Sequence, residues 1–469
     1  NIDTISVTDN SQGVFFKASS GQLINSIFTV KCNAIDTNSY KTTTDASFVM
    51  TINNNTITTE DGAGITAYDG AIIVANDNVI SGAGDGSGFG IRDSFVTLNR
   101  NEIGPIGGWN GLWIYGESDV VAENNTFTEI AKEAVSIGEY HYKDGGGGFS
   151  QEPTKSRIYF ANNDVSGING TCSSIGIYGG DFQCPALHIF MASASIINNN
   201  ITANAGDGLR VMGGVVNVQD NYIEAGEFAV RIGQFDDQYG TKYGSIGFFS
   251  GNDWSSNVEQ IYNITESKVV VQSETFDTLD SNPKHTVWLK WASQTCEENA
   301  NACLKVPLTG AWPPQGMPIA MDMKDNATTF TFANLNNFEI SDVYMRNQGS
   351  EWGVQIEEGE LVRYQVKAKN NQVAGARVLI KDAFGKELYN IQTDQFGFTQ
   401  WVTLASNFHI DHNWNRTWNE AYVNGTVDWP AEDSCTDAID NDGDGKADAE
   451  DPDCFEGSGT RELSVYMVD

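Results

Sequence analysis

Five aspartates near the C-terminal end have the spacing of a cation-binding loop. Asp440, Asp442 and Asp444 stand at alternate positions, Gly445 follows, and Asp448 and Asp451 complete the set within DSCTDAIDNDGDGKADAEDPDCF at 433–455. Counted from Asp440, the carboxylates fall at positions 1, 3, 5, 9 and 12 with glycine at 6. In that order a hard divalent ion collects oxygen ligands around a tight turn, so the ion expected is Ca2+. Two features depart from the pattern. Position 12 is Asp, which reaches less far than Glu, and no helical flanks are evident. Cys435 and Cys454 bracket the loop and could clasp it.

A second set of residues is brought together by a recurring string: Gly or Ala, an aliphatic residue, a variable residue, and usually another aliphatic. It reads GVF at Gly13, GITA at Gly64, GIRD at Gly90, GLWI at Gly111, AVSI at Ala134, ALHI at Ala186, GLRV at Gly208 and AVRI at Ala229. In a strand the aliphatics alternate inward and the variable residue points out. The outward row then reads Phe15, Thr66, Arg92, Trp113, Ser136, His188, Arg210 and Arg231, with Arg92 and Trp113 in neighbouring repeats. Two residues on, the same face carries Lys17, Tyr68, Tyr115, Phe190 and Met212. Flat aromatic faces stack on sugar rings, and guanidinium forks pair with carboxylate or sulfate. Arg92, Trp113, Tyr68, Tyr115 and Phe190 are therefore expected to bind a polysaccharide, and an acidic one.

Catalysis would need more. A lyase needs a base, for which His188, Arg210 and Arg231 are the candidates, with Lys143 beside them, and a cation to neutralise a carboxylate. Asp69, Asp93, Glu117 and Glu139 end the same strands and could hold one. A hydrolase needs two carboxylates across the bond, and the centre of the row offers no such pair. The plain alternative is an exposed twisted sheet on which arginines and aromatics are good cross-strand neighbours. The string His409-Ile410-Asp411-His412 could be half a metal site, although two histidines in a loop are more often only that.

The elements that must position these residues come from a repeat. Asn followed by a variable and an apolar residue recurs at Asn25, Asn55, Asn78, Asn101, Asn125, Asn163, Asn199 and Asn221, at successive intervals of 30, 23, 23, 24, 38, 36 and 22 residues, with Asn252 as a ninth member. A unit of this size holds several short strands and cannot bury its own apolar face, whereas stacked units make a continuous core. Asn suits the corner because it tolerates left-handed backbone, and stacked amides can bond up a ladder.

These paired strings resemble the right-handed parallel β-helix of pectate-lyase-like and related surface proteins, over about residues 5–275. The resemblance implies that the outward strand row forms a substrate groove. It does not single out a function, because that fold hosts lyases, hydrolases, epimerases, adhesins and structural proteins. Two long insertions, at 139–156 and about 166–185, bracket the row, as loops on a repeat scaffold often bracket a binding face. The fold class expected is all-β: a right-handed parallel β-helix over 1–275, a β-sandwich region over 276–430, and a Cys-clasped calcium-type loop with a final strand over 431–469. Within the second region, about 352–405 resembles an immunoglobulin-like carboxypeptidase-regulatory module, with turns at Asp382 and Gly385 and at Thr393, Asp394 and Gly397.

Composition narrows the partners. Against 62 Asp+Glu there are 27 Lys+Arg, a formal net charge of -35, which repels nucleic acid and anionic lipid. No apolar stretch is long enough to span a membrane. Six of the seven cysteines fall into short-range pairs, Cys172 with Cys184, Cys296 with Cys303 and Cys435 with Cys454, which suits an oxidising, extracellular setting. Cys32 is left over, and a buried free thiol is expected there. Eight Asn-x-Ser/Thr sequons, at Asn54, Asn124, Asn169, Asn200, Asn263, Asn326, Asn415 and Asn424, would permit glycosylation. Both termini begin or end in strand-like sequence and read as cuts through a longer chain, and open helix ends would allow self-association. The reading is an extracellular surface or matrix protein whose β-helix presents a carbohydrate groove. A polysaccharide lyase and a structural filament or cell-envelope subunit are the alternatives.

Overall fold

The computed structural model describes residues 2–276 with short breaks, the longest at 40–48, 150–155 and 174–180. It then describes 287–291, 328–333, 343–347, 354–411 except 369–370 and 382–386, and 464–468. The described residues are all-β, in three long sheets in which every third strand of the sequence is a neighbour. The first sheet begins at Ile2–Asp3, the second at Ser6–Asn10 and the third at Val14–Lys17. Each turn of the chain adds one strand to each sheet in parallel, so Ile72–Asn76 lies on Phe95–Asn99 and that strand on Asp119–Glu123. The result is a right-handed parallel β-helix, the hand that parallel crossovers take.

Alternation fills the interior. In the first sheet the inward row runs Ile52, Ala75, Leu98, Ala122, Phe160, Ile196, Val218, Phe249 and Val271, all essentially inaccessible to water. Small and large residues alternate along its first half, so the layers interlock. Burying each large aliphatic contributes ~1.5–3 kcal/mol.

The asparagine ladder forms as expected from Asn55 to Asn252. Asn101 shows the pattern: its Nδ2 donates to Asn125 Oδ1 (2.9 Å) and to Ala75 O (2.9 Å), and its backbone N–H also donates to Asn125 Oδ1 (2.9 Å). Equivalent amide-to-amide bonds link 55 to 78, 78 to 101, 125 to 163, 163 to 199, 199 to 221 and 221 to 252. Two details differ from the sequence reading. Ser26, not Asn25, occupies the first rung, its N–H donating to Asn55 Oδ1. The left-handed corner belongs to the residue before each rung: Asn25, Asn54, Asp77, Arg100, Asn124, Asn162, Asn198 and Asp220 all have φ between 50 and 55°. Adjacent residues thus divide two tasks, and Asn is common at both. Arg100 departs from the Asn/Asp preference for this conformation, and it pairs bidentately with Asp77 of the preceding turn.

The sheets run past residue 275. Val287–Trp291 and Val343–Asn347 add to the third sheet, and Thr328–Ala333 and Val354–Val362 to the first, all in parallel. These segments therefore continue the parallel sheets past residue 275. The parallel stacking ends where Val402–Asp411 pairs antiparallel with Val354–Val362. Beyond it, Glu387–Gln392, Arg377–Lys381 and Ser464–Val468 form a small antiparallel sheet whose core includes Val366, Val378, Ile380, Tyr389, Ile391 and Val402. In its Asp394–Gly397 turn, Asp394 Oδ1 accepts the N–H groups of Phe396 and Phe398.

Candidate functional site

The outward face of the third sheet carries the row that the sequence pointed to, with one change of register. Gly90 pairs with Thr66 and Trp113, and Arg92 with Tyr68 and Tyr115. The repeat in that turn is therefore GFGI at Gly88, not GIRD at Gly90, because two glycines two residues apart satisfy the same pattern. Arg92 moves to the second row, and the first row has no side chain at that level. The sequence reading also passed over one turn, Ile35–Asn38, which puts Asp36 between Phe15 and Thr66.

Aromatic groups gather around the gap at Gly90. The Trp109 and Trp113 rings lie 5.6 Å apart, and Trp113 and Tyr115 4.6 Å apart. A methyl group on Gly90 would stand 3.1 Å from the Tyr68 hydroxyl, so Tyr68 leans across the glycine. Burial raises the Tyr68 pKa, against the opposing effect of a hydrogen bond with Tyr115. The Arg92 guanidinium sits 4.9 Å from the Tyr68 ring centre, and Lys132 Nζ lies 3.7 Å from that of Trp109. Trp113, Tyr115 and Tyr68 remain partly accessible. Four aromatic side chains, with Arg92 and Lys132 against two of them, thus form a platform of tilted rings.

Further along, the row becomes ionic. His188, Arg210 and Arg231 occupy successive turns as expected. Both arginines converge on Asp207, whose side chain is 0% exposed: Arg210 Nη2 lies 2.6 Å from Oδ2, and Arg231 Nε 2.9 Å from the same oxygen. Arg231 Nη2 also donates to Glu227 Oε2 at 2.9 Å, and its guanidinium lies over the Phe228 ring. Burial lowers the Arg210 pKa, with Asp207 pulling it back up. His188 Nδ1 is 3.5 Å from Glu133 Oε1, and its ring meets Phe190 edge-on at 6.1 Å. Phe190, Met191 and Met212 make a small apolar cluster separate from the main core.

Two of the strand-end carboxylates proposed to hold a cation, Asp69 and Asp93, sit at corners of the chain. Asp69 and Asp93 have φ of 56° and 50°. Asp69 accepts from Arg92 Nη2 (2.6 Å) and Asn38 Nδ2 (2.9 Å), and Asp93 Oδ1 accepts the Glu117 N–H. Glu133 lies close to Cys172 and Cys184, but those two sulfurs are bonded to each other, which leaves no thiolate to bind a metal.

Sequence reasoning missed Asp207 and Glu133. Both sit one residue before the small residue of the motif, a position that holds Asn110 and Ser87 in earlier turns, all of them buried. That polar column was the available signal. Also missed was a third hairpin, Phe235–Asp236 with Lys242–Tyr243. It joins Tyr142–Lys143 with Gly148–Phe149, and Thr171–Ser173 with Asp181–Gln183 closed by the Cys172–Cys184 disulfide. All three leave the chain directly before or after a strand of the third sheet.

Cys32 is exposed, not buried, because it falls in the corner after Ile27–Val30. The Cys296–Cys303 and Cys435–Cys454 pairs, Lys143 and Glu139 as side chains, His412, and the loop Asp440, Asp442, Asp444, Asp448 and Asp451 lie outside the described residues. Among the described residues, no helix is long and apolar enough to cross a membrane.

No protein-family model matches the sequence, and no curated protein sequence matches it. Several solved structures are similar. One is the A-module of the mannuronan C-5 epimerase AlgE4 of Azotobacter vinelandii, at 14% identity over 61% of this chain and 85% of that one, with a TM-score of 0.28. Others are tailspike protein 2 of Escherichia coli O157:H7 bacteriophage CAB120 (9%, 86% and 59%, 0.37) and the Dettilon tailspike protein (14%, 78% and 66%, 0.32). The functional reading rests on this chain's own side chains.

Proposed function

We propose that the outer face of the third sheet is a carbohydrate-binding groove on an extracellular or cell-surface protein. The observation that carries this is the platform of Trp109, Trp113, Tyr115 and Tyr68 around Gly90. These rings pack closely against one another yet stay partly accessible, so a sugar face would gain contact with area that the protein itself leaves uncovered. The row runs along the stacking direction, one residue every ~4.8 Å, which suits an extended chain. Phe190 offers a second apolar contact, and the three hairpins enter or leave the chain next to strands of this sheet.

The arginines favour binding over lyase chemistry. Arg210 and Arg231 share a buried carboxylate, so the donors they would offer to a reacting sugar are already engaged within the protein. The test is a glycan array with the whole chain. Trp113→Ala should reduce binding about tenfold or more, while no ultraviolet-absorbing double bond accumulates on uronate polymers. Product formation would establish the lyase instead, and an unchanged array profile for Trp113→Ala would remove the platform as the site.

The same reading keeps Ca2+ as the ion for Asp440, Asp442, Asp444, Asp448 and Asp451, in a structural role. Calorimetric titration of the whole chain should show Ca2+ binding that Asp444→Asn weakens. A ligand held only by the folded state adds about 2.7 kcal/mol at a hundredfold excess over Kd. Identical heats from the two proteins would rule this loop out.

A further inference from the structure

Resting on the groove reading, we infer that the glycan it takes is uncharged. The three arginines of the face are each matched to carboxylates. Arg92 pairs with Asp69 at 2.6 Å and lies 3.9 Å from Asp93, and Arg210 and Arg231 are held by Asp207 and Glu227. The row that looked cationic in sequence is neutralised from within, and Arg210 has a side chain only 9% exposed. Asp36, which the register adds to the first row, brings a further carboxylate to the face, opposite in sign to Lys17 of the second row and Lys132 over Trp109. The whole chain, at a formal -35, adds repulsion at longer range.

A uronate or sulfate chain brings acceptors and negative charge to a face already supplied with both. To pair with Arg231 or Arg92 it would have to compete with a carboxylate that is covalently part of the protein and already in place. A neutral sugar meets the face differently. Its C–H surface lies on Trp113 and Tyr115, and its hydroxyls donate to oxygens of the partly exposed Asp69, Asp93 and Glu227, making charge-assisted O–H···O⁻ bonds. The residues read as anion receptors thus become scaffolding for acceptors, and the ligand is a hydroxyl-rich neutral polysaccharide or oligosaccharide.

The experiment is affinity electrophoresis and calorimetry of the intact chain against neutral polymers (galactomannan, xyloglucan, dextran, hydroxyethyl cellulose) and acidic ones (alginate, polygalacturonate, chondroitin sulfate). Each is run at low and high NaCl. The inference expects retention by at least one neutral polymer, changed less than about twofold between 0.05 and 0.5 M salt because no ion pair forms. It expects loss of that retention in Trp113→Ala, near-wild-type retention in Arg231→Gln, and no retention by the acidic set. Binding to an acidic polymer that weakens with salt and with Arg231→Gln would overturn the inference while leaving the groove standing. Retention by none of the polymers would overturn the groove reading itself.

Discussion

The asparagine ladder and the outward row of the third sheet follow the same turns of the same helix, yet they use side chains in opposite ways. Along the ladder every turn from Asn55 to Asn252 presents the same amide, and each bonds to the next. Along the row no residue type is kept for more than two turns: Thr66, Gly90, Trp113, Ser136, His188, Arg210, Arg231. Stacking rewards repetition where a group must satisfy its own copy above and below. Variety survives where the partner is something other than the next turn. The row itself divides further, since its arginines are satisfied by Asp207 and Glu227 while its aromatics keep accessible faces.

The sharpest way to break this comparison is Asp207→Ala. If the ionic end of the row is structural, the change leaves two guanidiniums without their shared carboxylate, one of them buried. It should then cost about 3–5 kcal/mol of unfolding free energy, measured by denaturant titration. A loss below about 1 kcal/mol would return Arg210 and Arg231 to the functional column. Next in size is the ladder. Asn101→Ala or Asn125→Ala strands buried backbone groups and should cost on the order of 1–3 kcal/mol. Losses below about 0.5 kcal/mol at both would mean that the repeated amide is decorative.

The smallest effect sharpens the aromatic end. Gly90→Ala places a methyl 3.1 Å from the Tyr68 hydroxyl at a residue whose backbone any L-amino acid adopts. Stability should move by less than about 0.5 kcal/mol, while glycan affinity falls a few-fold as Tyr68 is pushed off the gap. Unchanged affinity would show that the gap is not part of the binding face.

The same contrast explains what could be read in advance. The helix, the inward rungs at Asn101 and Asn125 and the general face of Trp113, Tyr115, His188, Arg210 and Arg231 were legible, because repetition at a near-constant interval exposes them. Arg92 was misplaced because Gly88 and Gly90 both fit the motif, and only pairing with Thr66 and Trp113 distinguishes them. Asn25 reads as a rung in the sequence because the corner residue and the rung are often the same type. The pairing of the arginines was not legible, since Asp207 comes from the turn before its strand and Glu227 from the turn before the next. Nor was the reach of the sheets past residue 275, because a long insertion erases the interval while leaving the strands able to stack.

The ladder has one more property, which comes from where it stops. Every amide-to-amide bond runs from Nδ2 to the Oδ1 of the next turn toward the C-terminal side, so the side-chain dipoles point one way along the axis, and aligned hydrogen-bonded dipoles polarise one another. At the far end Asn252 Nδ2 donates to Glu274 Oε1 at 2.7 Å, and the Tyr262 hydroxyl donates to Oε2 at 2.6 Å. Glu274 is fully buried, and the Tyr262 pKa lies well above its ordinary value through burial and the nearby carboxylate. Glu274 accepts both bonds and so takes the positive end of the file among the described residues. The interior of this helix therefore has a head and a tail, and a turn inserted in reverse would find its amides facing the wrong way.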